Sequence, residues 1–342
     1  MVFLGGTQMH NHGVHIKYSD IIAANTTFLS TNLKYLTQYA YHFSNITNVA
    51  NILKEGKLYC RNSKKLEGKN VHDNASPEVI HCTDEEIKDY VRFYFRPKTP
   101  TQYHNEGIRS KTQINEHLHA HCPVPVFLVF DIDQILNKPN AYFTHESLAS
   151  HHHVEVYNSY TDLEAAPFSY IYHFDPISQE ERDMVVKARH AEILVKNECD
   201  LSSLKYIYCR NQAEADTLKS LLPAKIRLQY NDIITVPTNK YHFFFNNYTQ
   251  IDNVSFDANN DLIIKWATSQ SANFHFKMEV ISQHSSNPIC HGNNPEYDPH
   301  KFFKQSNRWF TGSLLHGYSG CIVTISLDDH LVYRNSFNLT NT

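Results

Sequence analysis

One carboxylate set inside an apolar strand constrains this chain more than any other feature. Residues 191–195 read Ala-Glu-Ile-Leu-Val, so Glu192 sits among four apolar neighbours. An ionised side chain costs several kcal/mol to bury unless it is paired or hydrogen-bonded. Glu192 is therefore either an edge-strand residue facing water, as strict alternation would allow, or a working group in a cleft.

The chain has 342 residues, of which 41% are hydrophobic and 13% aromatic. That is enough for two ordinary domains with cores that need no disulfide staples. No run of about 18 apolar residues is present, and Met1-Val2-Phe3-Leu4-Gly5-Gly6 lacks the basic start of an exporting segment. A soluble, cytoplasmic protein is expected. Seven cysteines, scattered without a Cys-x-x-Cys pair, suggest reduced thiols rather than a disulfide framework or a zinc ribbon. A net charge of -4 argues against a protein that coats nucleic acid, while permitting one that grips a short single strand. Basic residues gather at Lys54–Lys69 and again from Arg92 to Lys111.

Histidines number 23, with His117, His119 and His121 alternating and His151-His152-His153 in a run. Alternating imidazoles can ligate zinc, yet no cysteine or carboxylate stands at a recognisable ligand spacing, so no metal is expected.

Residues 20 to 60 carry a helical pattern ending at Gly56, and strands are expected at Tyr90–Phe95, Val124–Ile132, Phe168–His173, Ala191–Val195 and Tyr206–Arg210. A helix is expected over Ala213–Leu222. Beyond Pro237 the texture changes to short alternating runs, from Phe243-Phe244-Phe245 through Leu331–Tyr333, with Trp266, Phe274, Phe276, Trp309 and Phe310 as core candidates. The expectation is an α+β domain over residues 1–235 and an all-β, sandwich-like domain over 236–342.

Four segments of the first domain occur in order: His42-Phe43-Ser44 with Asn48; Asp89 to Pro100, which includes Arg92, Tyr94, Arg96 and Lys98; Val124-Pro125-Val126-Phe127; and His190 to Val195. This order resembles the DarT family of nucleic-acid ADP-ribosyltransferases over about residues 40–222. That family is similar in its His-x-Thr before an Asn-Leu and a helix ending in Gly, in its Tyr-Val-Pro-Phe-Tyr-Phe strand followed by Pro-Arg-Ser-Pro, and in its Ala-Glu-x-Leu-Val strand. Here Ser44 replaces the usual Thr, Arg92 the usual Pro, Lys98-Thr99 the usual Arg-Ser, and His190 a frequent Gln. Lysine supplies charge without the bidentate fork of arginine, so Arg92 or Arg96 is a possible substitute.

The resemblance implies an ADP-ribosyltransferase-like split β-sandwich with helices, and NAD as co-substrate. It implies Glu192 as the catalytic carboxylate, with Arg92 and Lys98 facing the pyrophosphate or stabilising the active strand. His42 and Ser44 would hold the nicotinamide amide and its ribose, Asn48 would brace the cofactor loop, and Tyr94 would lie on the cofactor side. His190 would touch the acceptor, and Tyr142 and Phe143, ahead of the Glu192 strand, could stack on it. Structural readings stand beside these: a core histidine for His42, a helix cap for Asn48, core aromatics for Tyr142 and Phe143.

Breaking the nicotinamide–ribose bond builds oxocarbenium character that a carboxylate can stabilise while deprotonating the nucleophile. The expected function is transfer of ADP-ribose to a nucleobase of single-stranded DNA, by a toxin of a toxin-antitoxin or phage-defence system with an antitoxin or regulatory protein as partner. RNA or protein as acceptor, a non-catalytic binding module, and a metal hydrolase built on His117, His119 and His121 are the competing readings.

Overall fold

The sheet that carries Glu192 is assembled from strands far apart in the chain. The computed structural model describes residues 17–68, 71–72, 85–114, 121–148, 153–268, 270–283, 288–303 and 307–339. The first unit contains β1 (Tyr39–Asn45), β2 (Lys57–Tyr59), β3 (Tyr90–Tyr94), β4 (Pro125–Asp131), β5 (Ala141–Phe143), β6 (Glu192–Lys196), β7 (Glu198–Asp200), β8 (Leu204–Cys209) and β9 (Ile234–Thr235). Seven of them form one sheet in the order β5-β6-β3-β1-β4-β8-β9, and β2 pairs with β7 separately. Strand β4 is buried on both faces from Pro125 to Phe130, which explains why its sequence does not alternate. Its Val126, Leu128 and Phe130 enter the main core, and Phe127 and Val129 a smaller one on the other face.

The sheet is split where the cleft lies. Strands β1 and β3 pair at Tyr41 and Tyr94 alone, whereas β3 and β6 pair along their whole length, from Tyr90 with Lys196 to Tyr94 with Glu192. The His42 ring spans the split, its Nδ1 2.9 Å from the Arg92 carbonyl. Helix Ile46–Glu55 follows β1 directly and stops at Gly56, whose φ of 71° is the left-handed cap that glycine adopts without strain.

Three expectations are corrected. The helical stretch over 20–60 is interrupted by β1, because Tyr39, Tyr41 and Phe43 alternate with Ala40, His42 and Ser44 across a strand packed on both faces. Phe168–His173, expected as a strand, is a helical turn over Phe168–Ile171 after Pro167; Phe168 and Ile171, three apart, are both buried, and Tyr172 Oη donates to the Phe95 carbonyl at 3.0 Å. Phe243 and Phe244 belong to no strand and instead fill the smaller core beside Tyr41 and Phe127.

The second unit is all-β. Strands β10 (Gln250–Phe256), β11 (Leu262–Ala267) and β14 (Asn307–Trp309) form one sheet; β12 (Phe274–Ser282), β13 (Pro288–Tyr297), β15 (Gly320–Leu327) and β16 (His330–Asn338) form another, in the order β13-β12-β15-β16. Trp266, Phe274 and Phe276 are core residues and Trp309 is half-buried, but Phe310 departs from the expectation, being 80% exposed. The chain stays tied to the first unit beyond residue 235. Buried Glu106 accepts hydrogen bonds from the amides of Phe245 (2.9 Å) and Asn246 (2.8 Å) and from Gln102 Nε2 (2.7 Å). These contacts hold Phe245 and Asn246 against Glu106 of the first unit. The β unit docks on helix Gln212–Leu221, where Arg334 donates from its amide to Thr217 Oγ1 and from Nη1 to the Ser220 carbonyl. Among the described residues no helix is long and apolar enough to cross a membrane.

Candidate active site

A cavity of about 580 Å³ opens at the split between β1 and β3, within the roughly 300–1,000 Å³ usual for small-molecule sites. His42, Ser44, Asn48, Arg92, Tyr94 and Glu192 all line it. The β-ladder explains the grouping: pairing of Tyr94 with Glu192 places the two on one face of neighbouring strands, and Arg92 lies two residues before Tyr94 on the same face.

Glu192 is 1% exposed. Its backbone is fastened to Thr144 in both directions, through Thr144 N to the Glu192 carbonyl (2.8 Å) and Glu192 N to Thr144 Oγ1 (3.2 Å). Its Oε2 accepts from the Leu148 amide at 3.1 Å, and Oε1 lies 3.5 Å from Arg92 Nη1. Burial raises its pKa above the ordinary carboxylate value, opposed by the Arg92 charge and the Leu148 amide. This is the cleft alternative, not the solvent-facing edge strand: β6 lies between β5 and β3.

The Arg92 carbonyl can only accept, so His42 Nδ1 carries the proton and Nε2 keeps its lone pair. Burial lowers the His42 pKa, which holds the ring neutral. Asn48 is no helix cap; its Nδ2 donates to Ser44 Oγ (3.2 Å) and to the His72 carbonyl (2.7 Å), and its Oδ1 accepts from the His72 amide (2.9 Å). Burial raises the Tyr94 pKa well above the phenolic range, and Tyr94 hydrogen-bonds Thr101.

Five residues singled out from sequence do not line the cavity. Lys98, in the left-handed region at φ 60°, donates its amide to Gln102 Oε1 (2.7 Å) and holds its ammonium 5.0 Å from the Phe245 ring centre. Arg96 is no substitute. It is buried, with Nη1 donating to the carbonyls of Ile171 (3.0 Å) and His173 (2.7 Å). The cation at the carboxylate is Arg92. His190 stands one shell out, with Nδ1 3.1 Å from Thr101 Oγ1 and a pKa lowered to about 4 by burial and the nearby His104. Phe143 is a core residue at 1% exposure, and Tyr142 packs edge-on against Tyr90. Tyr103, close in sequence to Thr101, is open to solvent, 53% exposed and edge-on to His104.

Sequence reasoning missed the Leu148 amide, Thr101, Gln102 and His72. A backbone donor leaves no mark in sequence, and the Thr99 hydroxyl that caps helix Pro100–Asn105 was the available sign that Thr101 and Gln102 would be presented together. His117 and His119 lie outside the described residues, as do His151 and His152. Among the described residues no group of three or more His, Cys, Asp or Glu is placed to hold a metal ion.

Arg92 should set the acid limb of activity. With Glu192 acting ionised, activity rises as pH rises through its raised pKa. Removing the opposing cation in Arg92→Gln is expected to move that limb to higher pH, with the larger loss on the acid side; a pH–rate profile with an unmoved limb would contradict the pairing.

A carboxylate held under a cation, beside a neutral imidazole and an amide–hydroxyl pair, suits cleavage of a glycosidic bond to a cationic leaving group, the chemistry of ADP-ribosyltransferases. A family model described as ssDNA thymidine ADP-ribosyltransferase, DarT, matches residues 41–245, and the chain belongs to this family. It is an NAD-dependent ADP-ribosyltransferase. Solved structures similar to it include Thermus sp. 2.9 DarT in complex with ADP-ribosylated ssDNA (19% identity, TM-score 0.46, covering 61% of this chain and 97% of that one). The same Thermus protein in complex with NAD+ matches at 19% identity, TM-score 0.43, 61% and 98% coverage. Thermosipho africanus DarTG in complex with ADP-ribose matches at 16% identity, TM-score 0.41, over 53% of this chain and 46% of that one. No curated protein matches in sequence.

Proposed function

We propose that the protein transfers ADP-ribose from NAD to a nucleobase of single-stranded DNA, with thymidine the acceptor that the family description favours. The observation that carries this reading is the buried Glu192 carboxylate beside Arg92 at the cavity. NAD supplies the ADP-ribosyl group and nicotinamide leaves with the bonding electrons. Glu192 stabilises the positive charge that develops at the anomeric carbon and takes the proton lost by the base N–H as the new C–N bond forms. His42 and Ser44 hold the nicotinamide end, Asn48 fixes the Ser44 hydroxyl, Tyr94 bounds the pocket, and Arg92 orients the carboxylate. His190, through Thr101, borders the acceptor side. Such a reaction needs an unpaired or extruded base.

We read the biological role as that of a toxin in a toxin-antitoxin or phage-defence system, with the C-terminal β unit as the surface for an antitoxin or regulatory protein. The test is to incubate the purified protein with labelled NAD and separate pools of single-stranded DNA, RNA and protein. Label is expected in DNA, and oligonucleotides lacking thymidine should stay unlabelled. Label confined to RNA or protein would overturn the acceptor assignment, and label in no pool the transferase reading of the cleft.

A further inference from the structure

Three histidines meet where the two units touch, and the transfer reaction uses none of them. His72 lines the cavity and clasps Asn48 with its own amide and carbonyl. Its ring continues the chain of contacts outward: Nε2 lies 2.7 Å from the His121 carbonyl, and the ring stacks on that of His121 at 5.9 Å. His121 Nε2 lies 3.1 Å from Nε2 of His330, the first residue of β16 in the C-terminal unit. The His330 ring stands edge-on to both partners, at 4.6 Å from His121 and 5.4 Å from His72. A continuous path thus runs from the second unit through two imidazoles to the side-chain amide that fixes Ser44.

The chemistry of that path is specific. A carbonyl accepts only, so His72 Nε2 carries its proton. An Nε2···Nε2 contact needs one N–H and one lone pair, so it exists with one of the two nitrogens protonated and fails when both are. His121 Nδ1 is buried without a partner among the described residues, which leaves no acceptor for a second proton on that ring. Arg109 adds positive charge near His121, and Asp328 and Asp329 add negative charge near His330, with Asp329 shared with Lys277 and His275.

We propose that His330 is a positioning residue for the cofactor cleft, acting through His121 and His72 on Asn48, so that the C-terminal β unit is a working part of the NAD site. The inference rests on the reading of the cleft as that site. Burial, with the neighbouring imidazoles, lowers the pKa of His121 to about 3 and that of His330 below its ordinary value. The link is therefore intact at neutral pH, and it is lost only as pH falls through the lowered pKa of His330, beneath the ordinary imidazole value of about 6.5.

Two readouts test it on the full chain without DNA: NAD binding by calorimetry from about pH 5.5 to pH 8, and amide hydrogen exchange at Asn48 and His72. His330→Ala is expected to weaken NAD binding at neutral pH by about 2- to 10-fold, the worth of one hydrogen bond, and to speed exchange of the His72 amide. His330→Gln can donate one N–H to His121 but cannot gain a second proton. It should bind NAD as the wild type does at neutral pH and lose the acid decline. Unchanged NAD affinity and unchanged exchange in His330→Ala would overturn the proposal, and faster exchange with unchanged affinity would overturn the positioning role. Wild-type protein that binds no NAD would overturn the cleft assignment itself, and the exchange measurement then decides whether the link exists.

Discussion

Glu192→Gln is expected to lower ADP-ribose transfer by about 10³-fold, inside the 10²–10⁴ typical of a positioned acid–base group, while leaving the fold intact. The substitution is isosteric. The glutamine oxygen can still accept from the Leu148 amide, and Arg92, whose side chain is 28% exposed, falls back on solvent. What disappears is the negative charge, and with it both stabilisation of the oxocarbenium-like transition state and the proton acceptor. The same variant should be more stable than the wild type at neutral pH. Because burial raises the folded-state pKa of Glu192, this carboxyl favours folding most in acid, below the unfolded value of roughly 4, and loses that contribution as pH rises through its folded pKa. Glutamine has no proton to lose, so the gain in melting temperature should grow from acid to neutral pH. Transfer of label from NAD and thermal melts at several pH values check both halves. Activity kept within tenfold of wild type would remove Glu192 from the chemistry; a stability difference independent of pH would remove the buried-charge argument.

The site was legible in sequence to the extent that chemistry and strand periodicity travel together. Glu192 stood out as a carboxylate in an apolar run, and β3 delivered Arg92 and Tyr94 to one face by simple alternation. The split that makes the cleft was hidden, because it depends on β1 pairing fully with β4 and meeting β3 only at Tyr41 and Tyr94. Local pattern even pointed the wrong way for β1, since helical segments on both sides lent their period to it. Lys98 shows a second limit. Its charge is visible in sequence, but its direction follows from a left-handed backbone and from Phe245, some 150 residues on, which Glu106 holds in place. Phe168–Ile171 shows a third: aromatic and branched residues favour strands on average, yet after Pro167 a single turn buries Phe168 and Ile171 equally well. Contacts between the units, such as His121 with His330, have no local signature at all.

Glu214→Ala is expected to destabilise the protein by about 3–5 kcal/mol, the cost of leaving one member of a buried ion pair alone. Arg210 and Glu214 are 1% and 2% exposed, and the carboxylate accepts three bonds from the one arginine: from its amide at 3.1 Å, from Nε at 2.8 Å, and from Nη2. Nη2 also reaches the Pro123 carbonyl at 3.2 Å, whereas Nη1 is buried without a partner among the described residues. Truncating Glu214 thus strands a guanidinium that already lacks one acceptor, whereas replacing both residues by apolar ones of similar size, as in Arg210→Met with Glu214→Leu, should recover most of the loss. The position gives the pair a wider reach. It closes the end of β8 onto helix Gln212–Leu221, and that helix carries both Asn211, which donates to the Ile251 carbonyl at 2.9 Å, and the Thr217–Ser220 face that receives Arg334. Loosening its first turn should therefore release the β unit along with the sheet. Chemical denaturation of the two variants, with Arg334 side-chain contacts followed by NMR, checks this: an alanine variant within about 1 kcal/mol of wild type would show the pair to be dispensable, and a double apolar variant no better than the single one would show that its hydrogen bonds, not its charges, hold the helix.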